Sequence, residues 1–286
     1  MNKRTLAVVV VYYPDIELLR KNISSFINDV DYVLVWENME ECEASKYRIG
    51  LGSKVEYYCA RENVGISKAL NYAWQYAVEH NFDYILTMDQ DSIWKSFSDF
   101  KQQAVNFLEE NNAIVGPITR KEDGCKEKNQ NFSSRKWLIT SGMFVPVSVL
   151  NIIGGYNENF KIDGVDIELC LRAQSKGIET FVNNSSFLIQ QYGINHELRL
   201  WGMCINVQDY NPSRIRCIFW DIIVLLRVYR KKTIIKELLI FLKLVVQSSL
   251  LLRGNRIKKL QNAYVGIKEG ILFPLKQYYI LNRYAE

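Results

Sequence analysis

The chain has 286 residues, of which 48% are hydrophobic and 23% charged. This is the composition of an ordinary globular protein and argues against disorder, and the length suits one large domain or one domain with an appendage. Six cysteines are scattered without a Cys-x-x-Cys pair, and there are only two histidines. We therefore predict reduced, mostly packing cysteines in a cytoplasmic protein.

The net charge of +5 is unevenly distributed along the chain. Residues 1–198 carry 20 Lys and Arg against 26 Asp and Glu, whereas residues 199–286 carry 16 against 5. We therefore expect a basic partner surface in the C-terminal third, and we predict no nucleic-acid partner. The charged Met-Asn-Lys-Arg start and the apolar run after it imitate a secretion signal, but Pro14-Asp15 stands where a small-residue cleavage site is expected, which favours a buried first strand.

Apolar runs and helical periodicities alternate through the first two thirds of the chain. The predicted strands are 6–13, 32–36, 55–59, 82–88, 113–116 and 137–140, the predicted helices are 16–27, 66–79, 98–110 and 147–153, residues 39–52 are predicted as a short helix and turn, and residues 119–135 as an exposed loop. This alternation predicts an α/β fold with a Rossmann-like, mostly parallel sheet and flanking helices. Ligands of such sheets bind at the carboxyl ends of the strands.

The fourth predicted strand runs directly into Asp89-Gln90-Asp91. Successive side chains of a strand point to opposite faces, so Asp89 and Asp91 share a side if the strand geometry persists. Two such carboxylates offer hard oxygen ligands to Mg²⁺ or Mn²⁺ and leave positions for phosphate oxygens. The alternative is that these residues form a turn that closes the strand.

A second acidic cluster runs from Asp163 to Glu168. Asp163 and Asp166 lie three residues apart, so on a helix or its first turn they share one face near the positive end of the helix dipole. Such a carboxylate is suited to act as a general base. The alternative is an N-terminal cap followed by an acidic first turn.

Together these segments resemble the inverting glycosyltransferases of family 2, which have a GT-A fold, and among them bacterial rhamnosyltransferases. Order and spacing agree from residue 6 to about residue 196. The matching motifs are Val11-Tyr12-Tyr13-Pro14, Glu62-Asn63-Val64-Gly65-Ile66-Ser67-Lys68-Ala69-Leu70-Asn71, Met88-Asp89-Gln90-Asp91-Ser92, Ser141-Gly142-Met143, Gly154-Gly155-Tyr156-Asn157-Glu158 and Ile162-Asp163-Gly164-Val165-Asp166-Ile167-Glu168-Leu169-Cys170-Leu171-Arg172.

The resemblance assigns roles to individual residues. It implies that Asp166 is the catalytic base, that Asp91, Asp89 and His196 bind the metal, and that Trp94, Asp163 and Glu168 lie on the acceptor side. The donor-binding residues that it implies are Tyr12, Tyr13, Glu37, Asn63, Gly65, Lys68, Asp89 and Gln90. Glu37 stands where the family more often has Asp, which leaves open which nucleotide base the donor site selects. Lys68 has a solvated helix position as its alternative, and His196 a purely structural role.

The implied reaction is a single displacement that moves L-rhamnose from dTDP-rhamnose to a glycan on a polyprenyl lipid, with a UDP-sugar as the alternative donor. A sugar nucleotidyltransferase would need a Gly-rich loop after the first strand, where this chain has Tyr12-Tyr13-Pro14-Asp15. A non-catalytic assembly partner that binds nucleotide or membrane is a further alternative, and it would be expected to lose carboxylates that this chain keeps.

We predict a catalytic domain at residues 1–198 and a basic, largely helical region at residues 199–286. In residues 233–252, Lys236, Lys243 and Gln247 fall on one narrow strip of a helix and leave a broad apolar arc. This helix is predicted to lie at the membrane interface, on the inner face of the plasma membrane, or to pack on the catalytic domain or a second copy of the chain. No run is long enough to span a bilayer. Trp220-Asp221 stands where the rhamnosyltransferase pattern often has Arg-Asn.

Overall fold

A computed structural model describes residues 3–41, 52–120, 131–190, 195–200, 203–229, 232–251 and 255–279, with the backbone alone at 120, 195–200, 203–208, 232–234, 237, 244, 247–251 and 279. The described residues form two compact units. Unit 1 takes in the described residues of Met1–Lys161 and Val165–Gln191, and unit 2 those of Ile162–Gly164 and Tyr192–Ile280.

Unit 1 is built on a nine-stranded mixed sheet. Its strands are β1 (Thr5–Val11), β2 (Tyr32–Glu37), β3 (Val55–Cys59), β4 (Tyr84–Asp89), β5 (Ser92–Trp94), β6 (Ala113–Arg120), β7 (Phe132–Ser134), β8 (Met143–Pro146) and β9 (Glu179–Gln190). They are ordered β3-β2-β1-β4-β8-β6-β9-β5, and β7 pairs with β9. The first four in this order run parallel, whereas β8 is antiparallel to β4 and to β6.

Five helices accompany this sheet: α1 (Ile16–Ser24), α2 (Ile66–Glu79), α3 (Phe97–Glu110), α4 (Val147–Ile153) and α5 (Val165–Ser175). Apolar residues of β1, β2 and β4 pack with α1 and with the aromatic start of α3. Asp15 caps α1, because its carboxylate accepts a hydrogen bond from the Leu18 N–H at 3.0 Å. Gly154 ends α4 in a left-handed conformation.

The predicted α/β class is confirmed, and the bounds predicted for β3, α2 and α4 agree with the structure. Two predictions are wrong. Residues 137–140 are not a strand, and the predicted loop 119–135 contains β7. The apolar Leu138 is buried in an irregular segment, where its N–H donates to the Cys170 sulfur at 3.4 Å. Most of the predicted helix and turn at 39–52 lies outside the described residues.

The prediction that the cysteines are reduced is wrong for Cys59, which is disulfide-bonded. Cys170 and Cys217 are free thiols. Burial raises the pKa of Cys170 well above its usual value, which keeps this residue an inert packing group.

Unit 2 contains a hairpin of β10 (Asn195–Leu200) and β11 (Met203–Gln208) and the helices α6 (Pro212–Val228), α7 (Lys232–Leu251), α8 (Arg256–Leu272) and α9 (Leu275–Tyr279). The predicted helical C-terminal region is therefore present. In α7, Leu238 and Val245 are buried while Leu239 and Ile240 are about half exposed, so part of the predicted apolar arc packs within the protein. Among the described residues, no helix combines the length and apolar character needed to cross a bilayer.

Candidate active site

The candidate site lies where the chain changes direction across the sheet. From β1 the chain adds β2 and β3 on one side, and then β4 on the other. Ligands of open α/β sheets bind in the crevice at such a switch point. Val10 pairs with Asp89, and Val11 pairs with Glu37. The ends of β1, β2 and β4 therefore bring Tyr12, Glu37 and Asp89 to one edge.

Two side-chain amides from distant elements hold the acidic turn at residues 89–92. Asn22 of α1 is fully buried, and its Nδ2 donates to the backbone oxygen of Asp89 at 2.9 Å and also to that of Ser92. Gln190, at the end of β9, donates from Nε2 to Asp89 Oδ2 at 2.8 Å. The Asp89 N–H donates to Ser141 Oγ at 3.2 Å. The turn is thus fixed from three sides.

The Asp91 carboxylate is partly buried. Burial raises its pKa above the usual aspartate value, while hydrogen bonds from its own backbone N–H and from Ser92 partly offset that effect. A desolvated carboxylate gains most from a nearby cation, because an opposite charge favours its ionised form.

Gln90 connects the turn to the end of β1. Its Oε1 accepts from the Tyr12 N–H at 2.7 Å, and its Nε2 donates to the Tyr12 oxygen at 3.2 Å. The rings of Tyr12 and Tyr13 are more than half exposed and meet edge to face at 4.7 Å. Tyr13 has φ of 44°, a conformation that costs energy for a bulky residue. This strained turn presents two aromatic rings beside the acidic turn.

A loop after β3 completes the edge through its own amide contacts. Asn38 follows β2, and its Nδ2 donates to Asn63 Oδ1 at 3.0 Å while its Oδ1 accepts from the Val64 N–H at 2.9 Å. Gly65 has φ of +86°, and an added Cβ would lie 3.2 Å from the Lys161 oxygen. Only glycine fits this conformation without strain. Glu37 is buried, with 1% exposure.

Lys68 is exposed on α2. It lines a cavity of about 330 Å³ together with residues that include Trp36, Tyr58, Glu62 and Glu158. The Trp36 and Tyr58 rings stack there at 4.3 Å. Neither Asp89 nor Asp91 lines this cavity. The structure therefore does not bring Lys68 into the acidic turn.

Asp166 lies in the first turn of α5 and is partly buried. Its Oδ1 accepts a hydrogen bond from the Ile167 N–H at 2.8 Å. The segment before α5 is fixed to the first turn of α2, because the Ile66 N–H donates to the Lys161 oxygen at 2.8 Å and the Ser67 hydroxyl to the Phe160 oxygen at 2.6 Å. These contacts set the start of the helix that carries Asp166.

Glu168 and Trp94, which the resemblance assigns to the acceptor side, are both buried. Glu168 is fully buried and holds Arg172 through two hydrogen bonds at 2.8 and 2.9 Å. Trp94 is 4% exposed, and its indole N–H donates to the Met88 sulfur at 3.2 Å within a cluster of buried aromatic rings. Both side chains pack in the interior, and their acceptor-side role stays a prediction.

The spacing predicted that Asp163 and Asp166 share one face of a helix, but Asp163 lies outside the helix. It precedes α5 and belongs to unit 2, where Arg214 contacts it at 2.6 Å in an ion pair with further hydrogen bonds at 2.9 and 3.2 Å. Arg214 also lies over the Tyr210 ring, 5.3 Å from its centroid. Burial and the charge of Asp163 raise the pKa of Tyr210, and Arg214 offsets part of the shift. The Asp163 carboxylate is thus already engaged.

The acidic turn has the ligand chemistry that a hard divalent cation needs. Among the described side chains, no three His, Cys, Asp or Glu residues converge as a metal site. Mg²⁺, however, is commonly held by one or two carboxylates with substrate phosphates and water. Gln190 Oε1 is buried without a hydrogen-bond partner on the same amide that holds Asp89. Asp89 and Asp91 therefore fit such an ion. His196 lies in β10, and its side chain is outside the described residues.

Three residues of the site were missed in the sequence. Asn38 directly follows a buried strand, and that polar position is a signal that could have found it. Asn22 and Gln190 carry no local signal, because one lies within a helix pattern and the other is 101 residues from its partner Asp89.

The comparison with known families decides the identity. The profile of glycosyl transferase family 2 matches residues 8–157, which is more than half of the chain and contains the acidic turn. The chain belongs to glycosyl transferase family 2.

This family 2 glycosyltransferase is 28% identical to the dTDP-rhamnosyl transferase RfbF of Shigella flexneri, over 75% of this chain and 77% of the relative. The predicted resemblance to rhamnosyltransferases within family 2 is therefore confirmed.

Solved structures share the fold. A crystal structure of GalNAc-T7 with UDP, GalNAc and Mn²⁺ has a TM-score of 0.60 at 11% identity, and it covers 99% of this chain. The chain spans 58% of the length of that protein. S. aureus TarS 1-349 gives a TM-score of 0.56 at 14% identity, covering 99% of this chain and 89% of TarS 1-349, and it has also been solved with UDP-GlcNAc. The predicted GT-A fold class is confirmed.

Proposed function

We propose that this glycosyltransferase is metal-dependent and inverting, and that it transfers L-rhamnose from dTDP-rhamnose to a lipid-linked glycan acceptor in surface polysaccharide synthesis. The main support is the acidic turn with Asp89 and Asp91, held by Asn22 and Gln190 at the switch point of the sheet. The similarity to a dTDP-rhamnosyl transferase supports the choice of sugar.

Asp166 is the proposed general base. It accepts the proton of the acceptor hydroxyl as that oxygen attacks the anomeric carbon of the donor, and the bond to the nucleoside diphosphate breaks in the same step. One base is enough for this single displacement, and no covalent intermediate forms. Mg²⁺ or Mn²⁺ bound by Asp89 and Asp91, with His196 as a further ligand, would stabilise negative charge on the departing diphosphate.

The remaining site residues are proposed to bind the donor. Tyr12 and Tyr13 offer exposed rings for stacking, and Gln90 fixes the Tyr12 backbone. Buried Glu37 lies at the end of β2, and Asn63 with Gly65 shapes the loop after β3. Lys68 stays in the proposal only for the outer part of the nucleotide, because it lines a separate cavity.

We further propose the domain division at residue 198, with acceptor contact in the basic residues 199–286. A polyprenyl-linked acceptor would place the reaction at the inner face of the plasma membrane. The same region could instead bind a second copy of the chain.

A UDP-sugar is the second candidate donor. UDP-GlcNAc was bound to TarS, and UDP with GalNAc to GalNAc-T7, but at 11–14% identity these structures share only the fold with this chain. The rhamnosyl relative is the more similar sequence, so dTDP-rhamnose is the preferred donor.

Thermal unfolding in the presence of ligands tests the proposal. Binding to the folded state raises the melting temperature, so dTDP-rhamnose with Mn²⁺ should stabilise the protein more than UDP-glucose, UDP-galactose, UDP-GlcNAc or UDP-GalNAc. Asp91→Asn should lose the Mn²⁺-dependent part of the shift. Asp99→Asn, the same substitution at an exposed position of α3, should retain it.

If a UDP-sugar raises the melting temperature more than dTDP-rhamnose does, that UDP-sugar is the donor and the proposed donor site is unchanged. An equal shift with and without Mn²⁺ in the unsubstituted protein would overturn the metal assignment.

A further inference from the structure

Helix α8 packs with its smallest residues facing inward. Ala263, Gly266 and Gly270 are buried on the side that meets α6. A Cβ on Gly266 would clash with the Arg216 carbonyl oxygen, and one on Gly270 would lie 2.8 Å from the Ile223 Cβ. The two helix backbones therefore approach so closely that no larger side chain fits between them.

The large apolar residues of α8 point the other way. Ile257 is 73% exposed, Leu260 50%, Tyr264 67% and Ile271 56%. Their spacings of three, four and seven residues place them along one side of the helix, and we call these four residues the outer stripe. Leu272 extends it at 68% exposure. An amphipathic helix of a globular protein normally buries such a stripe in the core.

Two lysines of the same helix accompany the outer stripe. Lys258 and Lys268 of α8 are both exposed. Neither lysine makes an ion pair within the described part of the chain.

The acidic groups of unit 2 are already in use where they are described. Asp209 pairs with Lys259, and Glu269 pairs with Arg216. Asp221 is buried in α6. The outer stripe thus combines large apolar side chains with lysines that none of the described acidic groups pairs with.

We propose that the outer stripe is a membrane-binding surface that lies in the interface of an anionic lipid bilayer. The apolar side chains would enter the acyl boundary, the lysines would reach phosphate headgroups, and the Tyr264 ring has the amphipathic character suited to the interface. A second copy of the chain fits less well, because apposing two such surfaces brings like charges together. This assignment rests on the membrane contact of the proposed function and locates that contact on α8.

Vesicle flotation tests the assignment with the full-length protein. The protein should float with vesicles of phosphatidylglycerol and phosphatidylcholine at low salt, and it should float less at high salt or with phosphatidylcholine alone. Replacing Ile257, Leu260 and Tyr264 by serine should weaken binding by about a hundredfold, since each side chain is already partly buried and burial of its exposed part contributes roughly a fivefold factor, less than complete burial would. Lys258→Gln with Lys268→Gln should remove most of the preference for anionic lipid.

The matched control is Val78→Ser with Ile152→Ser, which removes two exposed apolar side chains of unit 1, each 45% exposed. This variant should bind vesicles like the unsubstituted protein. Circular dichroism and melting temperature check that each variant folds, and the single Ile257→Ser variant serves if the triple variant does not.

Protein that stays unbound at low salt would overturn the proposal, as would a triple variant that floats like the control. A dimer that dissociates in the triple variant without any vesicle binding would assign the stripe to a second copy instead. Nucleotide-induced stabilisation reports on the catalytic unit, so its loss would count against the proposed donor site and not against this surface.

Discussion

Replacing Asp166 by asparagine separates the proposed chemistry from the role of this residue in α5. The substitution keeps the side-chain volume and an oxygen that can still accept from the Ile167 N–H, which now donates to Asp166 Oδ1 at 2.8 Å. It removes the group that would take the acceptor proton. We therefore expect donor binding to be preserved and sugar transfer to collapse.

The two effects of Asp166→Asn differ in size. A general base contributes typically 10²–10⁴-fold, which corresponds to about 3–5 kcal/mol of the activation barrier. The lost negative charge in the first turn of α5 costs only about 0.3–1 kcal/mol of folding stability through the helix dipole. Partial unfolding therefore cannot account for the expected loss of turnover.

The assay measures transfer from a nucleotide sugar to a lipid-linked glycan, alongside the melting temperature with and without nucleotide. Asp166→Asn should lower kcat by at least about a hundredfold and leave the nucleotide-induced shift unchanged. Asp99→Asn, at an exposed position of α3, controls for the loss of one carboxylate. Turnover within a factor of about two of the unsubstituted protein would show that Asp166 is not the base.

Three further predictions concern the framework of the two units. Arg172→Met should lower the free energy of unfolding by about 3–5 kcal/mol in urea titrations, because it leaves the buried Glu168 without its partner, and adding Glu168→Leu should recover much of that loss. Gly65→Ala should lower the free energy of unfolding by about 1–2 kcal/mol and raise the KM for the donor, since φ of +86° is strained for alanine and the added Cβ crowds Lys161. The control is Gly52→Ala, which is also at positive φ but in open space. Arg216 lowers the pKa of Glu269 through a hydrogen bond. The pair should therefore stabilise unit 2 at pH values above the usual glutamate pKa, and this stabilisation should be lost as the pH falls through the lowered pKa of Glu269. The melting temperature of Glu269→Gln should accordingly lie slightly below that of the unsubstituted protein at pH 7 and converge with it in acid, and a constant gap would contradict the assignment.

The parts of the fold that local pattern encodes were predicted well. Helix α2 has apolar residues at helical spacing between a glycine and a charged end, and its bounds agree with the structure. Strand β8 was missed because its four buried residues run directly into α4, so no turn separates the two elements. The preceding apolar Leu138 mimicked a strand but is buried in irregular backbone. Burial of an apolar residue does not by itself specify extended structure.

Some residues of the candidate site can likewise be recognised from the sequence, and others cannot. Asp89, Asp91 and Asp166 stand out in the sequence because their acidic motifs follow or begin regular elements. The burial of Glu168 and Trp94 could not be predicted, because a sequence motif does not show which side chains turn inward. In the structure Glu168 meets Arg172 one helical turn later, and Trp94 packs among aromatic rings.

The amide contacts change how substitutions of the acidic turn should be interpreted. Gln190 donates to Asp89 Oδ2, and Asn22 to the Asp89 backbone oxygen. Removing the Asp89 side chain therefore also leaves the partly buried Gln190 amide without its acceptor, in addition to any lost ligand. Asp91 has no such contact to either amide among its described hydrogen bonds. Loss of metal response in Asp91→Asn consequently reports on ion binding more directly than the same loss in Asp89→Ala, where Gln190 also loses its acceptor.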